Sequence, residues 1–357
     1  MAKIVQATFS QGYGGLEMVL IEFHEWLIQI DHEAYVICLE NSPLHRSLIA
    51  KGFEKSTIAI KNNWFRFFKG RAVRKALDNS ATAFLFHRHS ALRVFWSSSS
   101  KAKVTLLSHT FCKAKKRDPF HRFIFSKVDQ WIALTNLHKA NLVETTGVNP
   151  EKICVIPNGV DLKKFNPQKR MTSSKDFHIG VVARIDQQKG QDLAIHAVSL
   201  LKKHGYSIRL HFFGEPTPGE WPSTNKLKKL SLDLGMTDEI IFEGFKPKIE
   251  KEMINLDLLW LPSHRETFGR CLIEAMACGI PIVASNSGGV PDVIRHNENG
   301  LLFNTKDPHD LFSKTRTLID NLDLRNTLAQ SALAEVKKKY EQEKIWLELQ
   351  RVILPNK

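Results

Sequence analysis

The sequence predicts an α/β protein built from two doubly wound domains, and three observations predict it. Short apolar runs of strand length alternate with amphipathic helical stretches. A segment punctuated by Pro, Asn and Gly interrupts the alternation near mid-chain, and the same pattern then restarts. With 357 residues, each half has enough chain to bury a core of its own.

The elements follow in order. Lys3–Thr8 is an apolar run that ends in the turn Gln11-Gly12-Tyr13-Gly14-Gly15. Leu16–Ile30 then carries apolar residues near helical period at Val19, Leu20, Phe23, Leu27 and Ile30. Ala34–Leu39, Ala83–Phe86, Val104–Ser108 and Gln130–Leu134 read as further strands. Val155–Asp161, with the polar stretch up to Asp176, reads as an interdomain linker. Beyond it His178–Ala183 is a strand, Gln191–His204 a helix, Ile208–Gly214 a strand and Lys226–Leu234 a helix. Ile240–Glu243, Leu256–Leu261, Pro281–Ala284 and Leu301–Phe303 supply more strands. From Asp307 to about Ile353 the chain is rich in Lys, Glu and Leu and holds more than one helix. In open α/β sheets ligands bind beyond the carboxyl ends of the strands, so the expected site is a cleft between the two domains.

Composition narrows the class. Apolar residues make up 43% and charged residues 25%, as in a globular protein. The five cysteines are scattered and lack zinc-ligand spacing, which suits a reducing cytoplasm. The N-terminus is too weakly apolar for a signal peptide, and no run approaches the roughly 20 apolar residues of a membrane span. The net charge of +14 is lopsided: residues 1–170 carry 26 basic and 13 acidic groups. Between 51 and 127 the imbalance is 18 to 3, a face built to meet anions.

The segment Glu266-Thr-Phe-Gly-Arg-Cys-Leu-Ile-Glu274-Ala-Met-Ala carries the chemistry. It follows a strand and the turn Pro262-Ser263-His264. Glu266 falls in the loop or helix entry, and Glu274 about two turns into a helix that begins near Gly269. Glycine permits close backbone approach, helix-start amides suit phosphate, and carboxylates accept from the hydroxyls of a sugar or ribose. Taken alone, the pair also fits an ordinary amphipathic helix with two exposed glutamates.

In context the block resembles the donor-binding signature of the retaining GT-B glycosyltransferases of family 4. Its order is P-S-x-x-E-x-F-G, then E-A-M-A-x-G-x-P-I-V-A-S, then G-G-x-P. Gly14-Gly15 after the first strand, Ile-Pro-Asn-Gly-Val-Asp at the linker, Arg184 and Lys189-Gly190 arrive in the family's order. The resemblance spans essentially the whole chain, is densest from Val155 to Asn299 and is loose through 40–130. It implies a GT-B fold with two Rossmann-like domains, 1–165 on the acceptor side and 166–339 on the donor side. A terminal segment, 340–357, is expected to cross back to the first domain, anchored by Trp346 and Leu349.

The resemblance also implies roles. Arg184 and Lys189 bind the donor diphosphate and stabilise the leaving group. Glu274 holds the ribose, and Glu266 contacts the transferred sugar with the backbone of Phe268, Gly269, Arg270 and Cys271. Gly14 and Gly15 approach the donor phosphates, His109 meets the sugar, and Lys246 marks the loop beside the base. His87 and His89 are weaker candidates of the same kind. A nucleotide-diphosphate sugar is expected as co-substrate, with no cofactor, no metal and retention at the anomeric carbon. Glutamate is common in the family where this chain has Asp292, a shorter carboxylate with a helix-entry role.

The basic half mixes cations with aromatics at Trp64, Phe65 and Arg66, and again at Lys115, Lys116, Phe120, Arg122 and Phe123. That mixture suits docking on an anionic membrane face near a glycan or lipid-linked acceptor such as lipopolysaccharide core. It also suits nucleic-acid stacking, although no nucleic-acid module is recognisable and no such partner is expected. A sugar-nucleotide epimerase or a phosphorylase on the same scaffold is the alternative enzyme.

Overall fold

The computed structural model describes residues 1–61, 81–87, 102–112, 114–168, 175–216 and 222–354. Trp64, Phe65, Arg66 and His89 lie outside the described residues. The chain divides into two compact units, Met1–Pro157 with Ile345–Lys357, and Asn158–Lys344. The division falls before the boundary placed at 165 from the sequence. The reason is local: Val160 bridges to Glu341, and Phe165 is fully buried. At Gly159 an added Cβ would lie 2.6 Å from the Gln342 Cα, so this backbone pairing needs glycine.

The first unit is built on a parallel sheet. Its strands are β1 (Lys3–Ala7), β2 (Glu33–Leu39), β3 (Thr57–Ile60), β4 (Ala83–Phe86), β5 (Lys103–Leu107), β6 (Gln130–Ala133) and β7 (Ile153–Val155). Their order is β3-β2-β1-β4-β5-β6-β7. Helices cover both faces of such a sheet, which explains why β4 reads as an unbroken apolar run and is wholly buried. The helix Gly15–Gln29 buries Val19, Leu20, Phe23 and Leu27, the period expected for it. The order reverses between β1 and β4, which makes their carboxyl ends the switch point of this sheet.

The second unit repeats the plan with β8 (Phe177–Val182), β9 (Ile208–Phe213), β10 (Ile240–Gly244), β11 (Leu258–Leu261), β12 (Ile282–Ser285) and β13 (Leu301–Phe303). The order is β10-β9-β8-β11-β12-β13, with the switch point between β8 and β11. Trp260 on β11 is fully buried, and its indole N–H donates to Thr315 Oγ1 at 3.0 Å. That one bond lets a polar group sit in the core without a desolvation penalty.

The C-terminal stretch resolves into the helices Pro308–Asp320, Leu322–Lys339 and Gln342–Ile353. Most of the last helix belongs to the first unit. There Trp346 packs 5.6 Å from Trp26 and 6.2 Å from Phe23, and Leu349 is buried. No helix among the described residues is long and apolar enough to cross a membrane.

Candidate functional site

Two loops of the second unit flank its switch point. One leaves β8 through Arg184 and the short turn Gln187–Lys189 into the helix Gln191–Lys203. The other leaves β11 through Pro262, Ser263 and Glu266 into the helix Arg270–Ala277. Lys189 Nζ lies 2.6 Å from Glu266 Oε2, joining the two loops. Both side chains are mostly buried, at 22% and 16% exposure, so water screens this pair less than a surface pair. Burial pulls the Lys189 ammonium down, but the Glu266 carboxylate outweighs it and holds the pKa above the usual lysine value.

Backbone contacts fix this geometry. The His264 N–H donates to the Gln188 carbonyl at 2.8 Å. Gly190 sits at φ +69°, and a Cβ there would stand 2.1 Å from the Pro262 carbonyl oxygen. Behind Glu266 the Gly289 N–H donates to the Glu266 carbonyl at 2.8 Å. Gly288, at φ +56°, leaves room for that contact: a Cβ would lie 2.0 Å from the same oxygen. The buried Gln191 amide donates to the Arg184 carbonyl at 2.8 Å and steadies the first loop. The hydroxyls of Ser285 and Ser287 both donate to the Ser263 carbonyl, at 2.6 and 3.1 Å.

The other site residues expected from the sequence of this unit are placed as follows. Arg184 is half exposed, with its guanidinium 3.6 Å from Asp186 Oδ2. Glu274 is the fifth residue of its helix, about one turn in rather than the two expected. The helix begins at Arg270, as expected near Gly269, and at 3.6 residues per turn its fifth residue lies little more than one turn in. Glu274 is buried, and its Oε1 lies 2.9 Å from Arg270 Nε. Gly269 is the N-cap residue of this helix, at φ +81°, and has no side chain to cap it. Phe268 is core, edge-on to Tyr340 at 5.9 Å, so only its backbone faces a ligand role. Burial pushes the Cys271 thiol up, which makes it a poor nucleophile. Asp292 is exposed in the short helix Val290–Val293. Lys246 pairs with Glu243 at 3.0 Å. A pocket of about 520 Å³ lies beside the first loop, lined by Gln187, Gln188, Asp192, His196, His264 and Lys306; the Lys189–Glu266 pair is not part of its lining. Among the described residues no group of three or more His, Cys, Asp or Glu side chains is placed to hold a metal ion.

In the first unit, His109 follows β5 and His87 follows β4, and the two imidazoles are stacked 5.3 Å apart. His87 was the lesser candidate in sequence, and the strand order makes it the direct partner of His109. The Gly14 amide donates to Glu17 Oε2 at 2.8 Å. That carboxylate occupies the Gly14 amide, and Gly15 begins the helix behind it. Lys115 is exposed and Lys116 half-buried. The helix Pro119–Ser126 buries Ile124 and Phe125 and leaves Phe120 and Phe123 about half exposed, at 48% and 52%. Gly190 and Gly288 stood in the sequence as motif positions, but their contacts with distant backbone, and the amide of Gln191, were not legible there.

The Gly288 turn is directly testable. Gly288→Ala should destabilise the protein by more than about 1 kcal/mol, because positive φ and the clash with the Glu266 carbonyl add. Urea unfolding reads the change, and an unaltered midpoint would show that the turn relaxes freely and does not pin Glu266.

Comparison with known proteins places this geometry. Residues 13–164 match the model described as Glycosyltransferase Family 4, and residues 163–334 match Glycosyl transferases group 1. Two curated relatives are D-inositol 3-phosphate glycosyltransferases. That of Geodermatophilus obscurus is 27% identical over 67% of this chain and 60% of its own length. That of Thermomonospora curvata is 28% identical over 70% of this chain and 66% of its own length. The chain thus spans less than two thirds of the length of these relatives. Among solved structures, the Anabaena protein HepE in complex with UDP and glucose superposes with a TM-score of 0.84 at 21% identity, over 98% of this chain and 99% of that one. A glycosyltransferase from Rickettsia africae gives 0.86 at 19% identity, over 99% and 97%. The two family matches run consecutively from residue 13 to 334, and the chain belongs to the family 4 glycosyltransferases with the GT-B fold.

Proposed function

We propose that the protein transfers a glycosyl group from a nucleoside-diphosphate sugar, of which UDP-glucose is the first to test, to a phosphorylated or lipid-linked acceptor. The observation that carries this reading is the Lys189–Glu266 pair, locked across the switch point of the second sheet. A buried ammonium beside a half-exposed guanidinium suits a diphosphate, and charge developing on the leaving group would be met by preplaced cations. Glu266 would take hydroxyls of the sugar and Glu274 those of the ribose, the latter shared with Arg270. His109 is proposed for the sugar, and Gly14 and Gly15 for close approach to the donor, with Glu17 limiting the amides on offer. Structures of HepE in complex with UDP and with UDP-glucose favour uracil as the base to try first. We further propose retention at the anomeric carbon with neither metal nor cofactor. The anomeric coupling in the product, read by NMR, tests the stereochemistry.

The acceptor reading rests on charge. Residues 1–170 carry twice as many basic as acidic groups, which suits phosphate on the acceptor. The lipopolysaccharide-core acceptor expected from sequence has no counterpart among the relatives quoted, which are named for D-inositol 3-phosphate. The outer face of the helix Pro119–Ser126 presents Phe120, Arg122 and Phe123, with Lys127 Nζ 5.4 Å from the Phe123 ring centre. Apolar rings flanked by cations fit an anionic bilayer surface, so the proposed location is the inner, cytoplasmic face of the membrane.

Melting curves with UDP-, GDP-, ADP- and CMP-sugars test the donor. The right donor at 100 times its Kd should add about 2.7 kcal/mol of stability. Glu274→Ala should erase that shift, whatever it does to the unliganded midpoint; if no donor shifts the curve, the reading fails. In flotation, the protein should rise with anionic and not with neutral liposomes, and Phe120→Ala with Phe123→Ala should abolish this. Equal binding to both lipids, or none, would remove the membrane.

A further inference from the structure

Gln6, His87 and His109 form a ladder across three neighbouring strands of the first sheet. Gln6 is on β1, His87 directly follows β4, and His109 is two residues beyond β5. Gln6 and His87 straddle the switch point, where an α/β sheet meets its ligand. His87 Nε2 lies 3.0 Å from Gln6 Oε1, and His87 Nδ1 lies 3.0 Å from His109 Nε2.

The direction of every bond in this ladder follows from one end. The Leu20 carbonyl accepts only, and the Gln6 amide nitrogen lies 3.5 Å from it. Flipping the Gln6 amide would set carbonyl against carbonyl, so Oε1 faces His87 and accepts. His87 Nε2 therefore carries the proton. His87 is fully buried, its ring nitrogens face the Gln6 amide and the His109 imidazole, and burial pushes its pKa down to about 3. Its ring is neutral at physiological pH, so Nδ1 holds a lone pair. His109 Nε2 must then be the donor, and in the neutral His109 ring Nδ1 is the acceptor nitrogen.

We propose that Gln6 and His87 are positioning residues that hold His109 as the neutral Nε2–H tautomer, so that its Nδ1 accepts a hydrogen bond from a ligand hydroxyl at this sheet edge. The tautomer stands on the ladder alone. The hydroxyl contact rests on the glycosyl-transfer reading above. A consequence is specificity: this nitrogen rewards a ligand group that donates and discriminates against an acceptor-only group in the same place.

Long-range ¹H–¹⁵N spectra of histidine-labelled protein test the tautomer, with resonances assigned through His109→Gln. Both His87 and His109 should show a protonated Nε2 and an unprotonated Nδ1 at neutral pH. A proton on His109 Nδ1, or a charged His87, overturns the ladder. Gln6→Met removes the acceptor and keeps both imidazoles. It should turn the single tautomer of each ring into a mixture, and an unchanged spectrum overturns the positioning role. With UDP-glucose as donor, the same variant should lose about tenfold in kcat, the scale of one neutral hydrogen bond, while the donor KM stays within about twofold. If the spectra agree and kcat does not move, the ligand contact is overturned while the tautomer stands. If UDP-glucose supports no turnover at all, the transfer reading fails instead.

Discussion

The second unit depends on keeping Lys189 and Glu266 2.6 Å apart although they sit on different loops. Neither charge is stable in a mostly buried place without the other. The distance is maintained by backbone: Gly190 pressed against the Pro262 carbonyl, and Gly288 against the Glu266 carbonyl. Any side chain at either glycine would push a loop away. Under the proposed donor reading, a diphosphate arriving here would meet cations already oriented, so less side-chain order would have to be created on binding.

Both sheets obey one rule. Their strand orders reverse once, at β1/β4 and at β8/β11, and the groups singled out for chemistry flank those points. The rule separates two histidine pairs of nearly equal geometry. His87 and His109 stand beyond strand carboxyl ends. His178 and His211 are 2.9 Å apart in their ring nitrogens, but His178 is the second residue of β8 and His211 bonds to Glu243. Position along the strand, not the imidazole pair itself, marks the ligand edge.

Much of this was legible in the sequence. Strands such as Ala83–Phe86 and Leu301–Phe303 were marked by unbroken apolar runs, because parallel sheets bury both faces. The Glu266 block was legible because its glycines and carboxylates come in a fixed local order. What sequence could not show were contacts between distant segments. β7 was not read as a strand, and only its last residue, Val155, lies in the linker; its three residues gain strand geometry by pairing with β6. The bond from the Gly14 amide to Glu17, three residues on, was not read from the sequence either. Phe120 and Phe123 could not be told from core aromatics until the helix turned Ile124 and Phe125 inward.

Hydrogen–deuterium exchange with saturating UDP-glucose tests the central claim most directly. If the Lys189–Glu266 pair is the heart of the donor site, exchange should slow in both 184–190 and 263–274. Protection confined to other segments, with these two unchanged, would contradict the account.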